Sequence, residues 1–316
     1  MRERCSIGID IGHTNLRAAR VSNGVPEEVL RERTEVPGGP GAVLEQARRM
    51  VFALDPGSGC PIGVGIAGQC DNRRGVVRCG PNLFWPDVPF QDLLSDAAEA
   101  PVVLRNDVVM ATVGEWRHGA GRGVDDLACL FAGTGIGGGA VVNGRLLEGT
   151  AGCGGHFGHI SVQMDGPGCT CGRRGCVEAY AGGASVEQRV RGTLAEDPGA
   201  SAILVQLCDG RPEALSCRMV AEAAANGDEL SLRVRDEMAA ALSSGVASVI
   251  NSLNPRKVVL GGTVLFGFPG LYDRVVKDAR GQCLRPAADG LSIERSGLGD
   301  LAGVIGAATL ALDIYG

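Results

Sequence analysis

Cys5 to Ser22, C-S-I-G-I-D-I-G-H-T-N-L-R-A-A-R-V-S, is the stretch whose reading decides the fold. Cys5 to Ile11 has the pattern of a buried strand, Gly12 to Asn15 that of a turn, and Leu16 to Ser22 that of a returning strand. A dinucleotide-binding unit passes from its glycine turn into a helix, so strand-turn-strand argues against that class. Asp10 stands at the end of the first strand, and Gly12, Thr14 and Asn15 form the turn beside it. A carboxylate next to accessible backbone N–H groups suits a hydrated Mg2+ and the phosphates it accompanies. Taken alone, the segment fits a plain β-hairpin equally well.

The pattern returns further along. Leu127 to Ala132 reads as a strand, Gly133 to Gly139 (G-T-G-I-G-G-G) as a turn, and Ala140 to Asn143 as the strand that comes back. Five glycines around Thr134 expose more backbone than a hairpin needs, which favours a phosphate loop here, with Gly133, Thr134 and Gly135 at its head, and by extension at Asp10. It is not a Walker A loop, because no G-K-[ST] is present. Between the hairpins, Ala42 to Leu54 has helical spacing and Pro61 to Ala67 reads as a strand. Val102 to Leu104 leads through Asn106-Asp107 into a helix ending near Arg117. Helical periodicity runs from Ser185 to Ser252, Val258 to Leu260 is a strand ending in Gly261-Gly262, and Ala302 to Ile314 makes a last helix.

Gly152 to Glu178 carries a different chemistry. Cys169, Cys171 and Cys176 stand at C-x-C-x4-C spacing with His159 upstream, three sulfurs and one nitrogen for a closed tetrahedral Zn2+ site. A closed site leaves no position for a catalytic water, so the metal would shape a loop. The alternative is three reduced core thiols. The chain has 316 residues, 45% of them hydrophobic, and twelve cysteines. That length accommodates two domains, and the absence of a leading apolar segment or a membrane-length run points to a reducing cytoplasm with most thiols free. A net charge of -6 argues against a nucleic-acid partner.

Taken in order, these motifs resemble the ROK family of sugar kinases over nearly the whole chain. The first phosphate motif corresponds to Asp10 to Asn15, the sugar-binding P-N-x-x-W to Pro81 through Trp85, and the catalytic N-D to Asn106-Asp107. The second phosphate motif corresponds to Gly133 to Gly139, and the sugar and zinc segment to Gly152 to His159. C-x-C-G-x-x-G-C-x-E corresponds to Cys169 to Glu178, and Gly261-Gly262 is similar to the adenosine-side turn. The resemblance implies an α/β protein with the duplicated actin-like ATPase (ribonuclease H-like) fold, two lobes with a cleft between them. Residues 1–112 with 302–316 would form the N-terminal lobe, and 113–301 a larger lobe carrying the zinc loop. It further implies phosphoryl transfer from ATP with Mg2+ to a sugar hydroxyl, Asp107 acting as general base. Asn82, Asn106, His156, His159 and Glu178 would bind the sugar, and His159 would also ligate zinc. The rival reading of Asp107 is a helix N-cap. A homo-oligomer, a dimer before a tetramer, is the expected assembly.

Two departures bear on the substrate. His156 stands where the family's motif carries Glu, replacing an anionic acceptor with a ring that accepts at most one bond when neutral. His13 stands where the first phosphate motif carries a second Gly. The exchange at His156 moves the expectation from glucose alone toward glucose or an aminosugar such as kanosamine, in an antibiotic-producing setting. A cyclitol or N-acetylhexosamine kinase is the alternative. The family also includes sugar-responsive repressors, but only Met1 to Arg4 precede the first strand, where those proteins carry a DNA-binding segment. A kinase is therefore expected rather than a sugar-sensing regulator.

Overall fold

A computed structural model describes residues 5–316 apart from 56, 58, 81, 82 and 84. The chain divides into two compact units: the first takes residues up to Leu127 with Gly139–Gly155 and Ser296–Gly316, the second Ala128–Gly138 with His156–Arg295.

The first unit opens with β1 (Cys5–Ile11), β2 (Asn15–Ser22) and β3 (Val25–Arg33), followed by α1 (Gly39–Leu54) and β4 (Ile62–Ile66). A small antiparallel sheet of β5 (Gln69–Asp71), β6 (Val76–Gly80) and β7 (Trp85–Val88) precedes α2 (Phe90–Ala98), β8 (Val102–Asn106) and α3 (Asp107–Arg117). The main sheet has the order β3-β2-β1-β4-β8. β1 and β2 are antiparallel, with Asp10 opposite Arg17, while β1, β4 and β8 are parallel. β1 and β4 pack their isoleucines against α1, with Ile7, Ile9, Ile11 and Ile62 all fully buried beside Val43 and Ala47.

β9 (Leu127–Ala132) and β10 (Ile136–Val142) form the second hairpin, and the end of β10 pairs with β11 (Arg145–Leu146). The second unit continues through α4 (Val177–Ala181), α5 (Gly183–Glu196), α6 (Ala202–Leu207), α7 (Cys217–Ala225) and the 25-residue α8 (Glu229–Leu253). It ends with β12 (Lys257–Gly261), α9 (Thr263–Gly267), α10 (Leu271–Gln282), α11 (Arg285–Ala288) and β13 (Ser292–Arg295). This sheet has the order β11-β10-β9-β12-β13, an antiparallel hairpin set beside crossover strands as in the first. Its core joins Leu130, Val186, Val220, Met238 and Leu260.

The chain closes with α12 (Ala302–Tyr315), which packs in the first unit. Glycines let this apolar helix approach closely. A β-carbon on Gly8 would lie 1.9 Å from the Val304 carbonyl oxygen, and one on Gly63 would lie 1.8 Å from that of Ala307. On the helix itself, a β-carbon at Gly306 would meet the Met110 carbonyl oxygen of α3 at 1.8 Å. The glycines of I-G-I-D-I and I-G-V-G-I thus serve contact between backbones, not turns. Ser6 Oγ adds a 2.7 Å bond to the Ala308 carbonyl.

The second turn is shorter than the glycine run implies. β10 starts at Ile136, so the turn is Gly133–Gly135 and the later glycines lie in a strand. The reason at Gly139 is proximity, since a β-carbon there would sit 2.4 Å from Thr112 Oγ1. Cys5 and Cys60, each two residues before the Ile7–Ile62 pair, are joined as a disulfide with Cα atoms 6.2 Å apart, and among the described residues no other disulfide is formed. Among the described residues, no helix is long and apolar enough to cross a membrane.

Candidate active site

In the first unit, β8 ends at Asn106 and α3 begins at Asp107. Asn106, not Asp107, is the N-cap. Its Oδ1 accepts from the Val108 and Val109 amides at 3.0 and 3.3 Å, as a capping side chain does. Its Nδ2 donates to the Gly68 carbonyl at 3.1 Å and to Asp107 Oδ1 at 2.8 Å. Two acceptor and two donor positions are thereby filled, which is the complement of an amide side chain. Asp107 Oδ1 also accepts from the Val108 amide at 2.9 Å. Burial pushes the Asp107 carboxyl above the usual carboxylate range, and the bonds from Val108 and Asn106 pull it back.

Asp10, at the end of β1, lies in the same unit. Its Oδ2 is 3.4 Å from Arg17 Nη1, and Arg17 Nη2 is 3.6 Å from Asp300. Burial and then the charge of Asp107 raise the Asp10 pKa to about 7, with Arg17 opposing the rise. Two acids that disfavour each other's charge form a natural seat for a cation. The turn beside Asp10 is fixed from three directions. The Gly12 amide donates to the Asn15 carbonyl at 3.0 Å, the Thr34 amide to the Thr14 carbonyl at 3.0 Å, and Thr34 Oγ1 to the Gly12 carbonyl at 2.8 Å.

The second unit holds the other expected residues. The carbonyls of Gly133 and Thr134 accept from the Gly183 and Ala184 amides at the start of α5, at 2.9 and 3.0 Å. Gly262 has a φ of 101°, and a β-carbon on it would lie 2.1 Å from the Ala132 carbonyl oxygen. Gly261-Gly262 and Gly133–Gly135 are therefore neighbours. Glu178, on α4, reaches the same turn: its Oε2 accepts from the Ile136 amide at 2.7 Å, and a β-carbon on Gly135 would stand 2.6 Å from that oxygen. Its Oε1 faces Thr170 Oγ1 at 3.3 Å.

His159 Nδ1 and the sulfurs of Cys169, Cys171 and Cys176 all lie within 4.8 Å of one another. Nδ1 is 3.6 Å from Cys169 Sγ, and the sulfurs of Cys171 and Cys176 are 3.7 Å apart. A tetrahedral Zn2+ with ordinary bond lengths requires edges of about 3.6 Å for nitrogen to sulfur and about 3.8 Å for sulfur to sulfur. The four residues fit that ion. The His156 ring stands against that of His159, centroids 6.3 Å apart, and burial followed by the His159 charge lowers its pKa, favouring the neutral ring. Asn82 lies outside the described residues; nearby Trp85 is buried against Phe90.

Sequence reasoning passed over Arg17, Glu115 and Glu148. Glu115 is fully buried and accepts from the amides of Ala120, Gly297 and Leu298, tying α3 to the segment ahead of α12. Its position two residues from the end of α3 gives no signal in sequence, because two of its three partners, Gly297 and Leu298, are backbone groups far along the chain. Arg17 was detectable in principle, since it falls opposite Asp10 once the hairpin register is drawn.

The two like-built five-stranded sheets, each opened by a hairpin with a glycine turn, define the duplicated actin-like ATPase fold. The ROK family profile matches residues 6–314, and the chain belongs to the ROK family. A glucokinase of Thermotoga maritima is 34% identical over 321 residues, covering 98% of each chain. An N-acetylmannosamine kinase of Citrobacter koseri is 33% identical over 313 residues, 97% of this chain and 98% of that protein. Among solved structures, a ROK family glucokinase from Streptomyces griseus in complex with glucose and AMPPNP aligns with a TM-score of 0.83 at 31% identity, covering 98% of this chain and 99% of that one.

Proposed function

We propose that this ATP-dependent carbohydrate kinase of the ROK family transfers the γ-phosphoryl of ATP to the 6-hydroxyl of a hexose or amino-hexose, with Asp107 as general base. The observation that carries the reading is the fixed carboxylate of Asp107: Oδ1 is held by the Val108 amide and the Asn106 side chain, and Oδ2 takes the substrate proton. Burial raises the affinity of that carboxylate for a proton, which suits a base. Asp10 and the Gly12–Asn15 turn of the first unit would hold Mg2+ and phosphate, and Gly133–Gly135 with Gly261-Gly262 of the second unit would offer backbone N–H groups to the nucleotide. His159, Cys169, Cys171 and Cys176 would hold a structural Zn2+. His159 ligating through Nδ1 would keep the proton on Nε2, free to donate to a sugar oxygen. Glu178 accepts from a sugar hydroxyl.

His156 decides among sugars. A neutral ring in place of a carboxylate supports a substrate other than glucose alone, an aminosugar such as kanosamine among them. The N-acetylmannosamine kinase of Citrobacter koseri favours keeping N-acetylhexosamines as a second reading. A coupled ADP-release assay across glucose, glucosamine, kanosamine, N-acetylglucosamine, N-acetylmannosamine and a cyclitol tests both. Release with one sugar well above the rest names the substrate, whereas no release with any of them overturns the kinase reading. His156→Glu then tests the residue itself. It should change the ratio of kcat/KM between glucose and the preferred sugar by roughly ten- to a hundred-fold, the worth of one polar contact. A change below about two-fold would place His156 outside the sugar contacts.

A further inference from the structure

Arg105, the residue before Asn106, is only 12% exposed in its side chain, and its Nε donates to Glu148 Oε1 at 2.6 Å. Asn72 Nδ2 donates to the same oxygen at 2.9 Å. Arg105 Nη1 reaches the Leu104 carbonyl at 2.8 Å and that of Asn72 at 3.4 Å. Glu148 begins a segment that folds on itself, with the Gly154 amide donating to the Glu148 carbonyl at 2.8 Å. Farther along, Gly152 is seated so closely that a β-carbon would lie 2.6 Å from the Cys70 carbonyl oxygen and 2.8 Å from Asn72 Cγ. Residues 70–72 are thus gripped by the segment on one side, and their neighbour Gly68 is held by the Asn106 side chain that also holds Asp107. One continuous polar assembly runs from the segment 148–154 to the base.

We propose that Arg105 and Glu148 are a positioning pair for phosphoryl transfer, holding the segment that leads into His156 in register with Asp107. The proposal rests on the kinase reading above. Stability alone gives a poor reason for the pair, because the Glu148 side chain is 39% exposed, where an ion pair contributes little, while burying the Arg105 guanidinium costs free energy. Geometry gives a better one. The guanidinium of Arg105 holds a carboxylate through Nε and two carbonyls through Nη1, a directional constraint no apolar contact supplies.

The test compares Glu148→Gln, Arg105→Met and the charge-reversed double variant R105E/E148R with wild type, using the best sugar from the ADP-release panel. Each single variant should lose about ten- to a hundred-fold in kcat/KM for the sugar, the scale expected when reacting groups are displaced by about an ångström. The KM for ATP should stay within about two-fold, and the double variant should recover most of the loss. Hydrogen exchange should show faster exchange at 148–154 in Glu148→Gln, a variant that keeps the shape of the side chain. Sugar kcat/KM within about two-fold of wild type in both single variants, or a double variant no better than either, would overturn the pairing. If wild type phosphorylates no sugar, the kinase reading has failed instead, and unchanged exchange at 148–154 would then overturn the anchoring itself.

Discussion

At the scale of single residues, Asp107 and Asp10 owe their properties to neighbours that a sequence does not display. The type and place of both acids are legible, because a carboxylate at a strand end beside a glycine turn, and another after Asn at a helix start, are local patterns. The repulsion of Asp10 by Asp107 is not, since it depends on the sheet setting the end of β1 near the end of β8 across β4. Asp10 is raised to about 7 in the folded protein from an ordinary value of 3.8. A raised carboxylate adds stability below its unfolded value, and that stability is lost as pH rises toward the folded value. In protein free of nucleotide and divalent metal, stability measured by urea denaturation should therefore fall between about pH 4 and about pH 7 by more in wild type than in Asp10→Asn. Parallel profiles would mean that Asp10 titrates normally. Asn106, expected to bind the sugar, spends its side-chain hydrogen bonds on Gly68, Asp107, Val108 and Val109, partners that only the folded chain reveals.

At the scale of elements, the cysteine–histidine cluster was open to sequence because ligand spacing is a local property, and the ligand atoms of His159, Cys169, Cys171 and Cys176 lie within 4.8 Å of one another. Elemental analysis should find about one zinc per chain. Cys171→Ser should lose the metal together with melting temperature and sugar affinity, because ligand binding energy here is folding energy. Full activity in metal-free protein would contradict the assignment. The glycine-rich strands were harder to read. Gly8 and Gly63 fall in stretches that read as strands, but the reason for glycine there, close approach to the backbone of α12, depends on a contact made across nearly the whole length of the chain. Gly63→Ala should cost at least about 1–3 kcal/mol in urea denaturation, the range for overpacking. A loss under about 0.5 kcal/mol would show that α12 can withdraw without penalty.

At the scale of the whole molecule, the duplication was visible in the two glycine hairpins, and the helices after Ser185 in their periodicity. β3 was not, because five of the nine residues of V-P-E-E-V-L-R-E-R are charged and only one edge of it meets a partner. The small sheet β5-β6-β7 escaped for a related reason: its strands are three to five residues long, too short to show alternation. Asp10, Asn106, Asp107 and Gly133–Gly135 fall at the ends of strands and the start of a helix that local patterns mark, whereas Glu178 lies on α4, a helix of five residues, too short for periodicity to show. The claim common to all three scales is that Asp107 takes a proton from a sugar hydroxyl as ATP is cleaved. Comparing wild type with Asp107→Asn tests it most directly, with turnover followed by sugar phosphate formed per ADP and affinity for sugar and ATP measured separately by calorimetry. The account predicts equal amounts of ADP and sugar phosphate in wild type. In Asp107→Asn it predicts affinities within a few-fold and turnover lower by about 10^2 to 10^4. Turnover near the wild-type rate in Asp107→Asn, with both ligands bound, would contradict it and leave Asp107 as no more than the first residue of a helix.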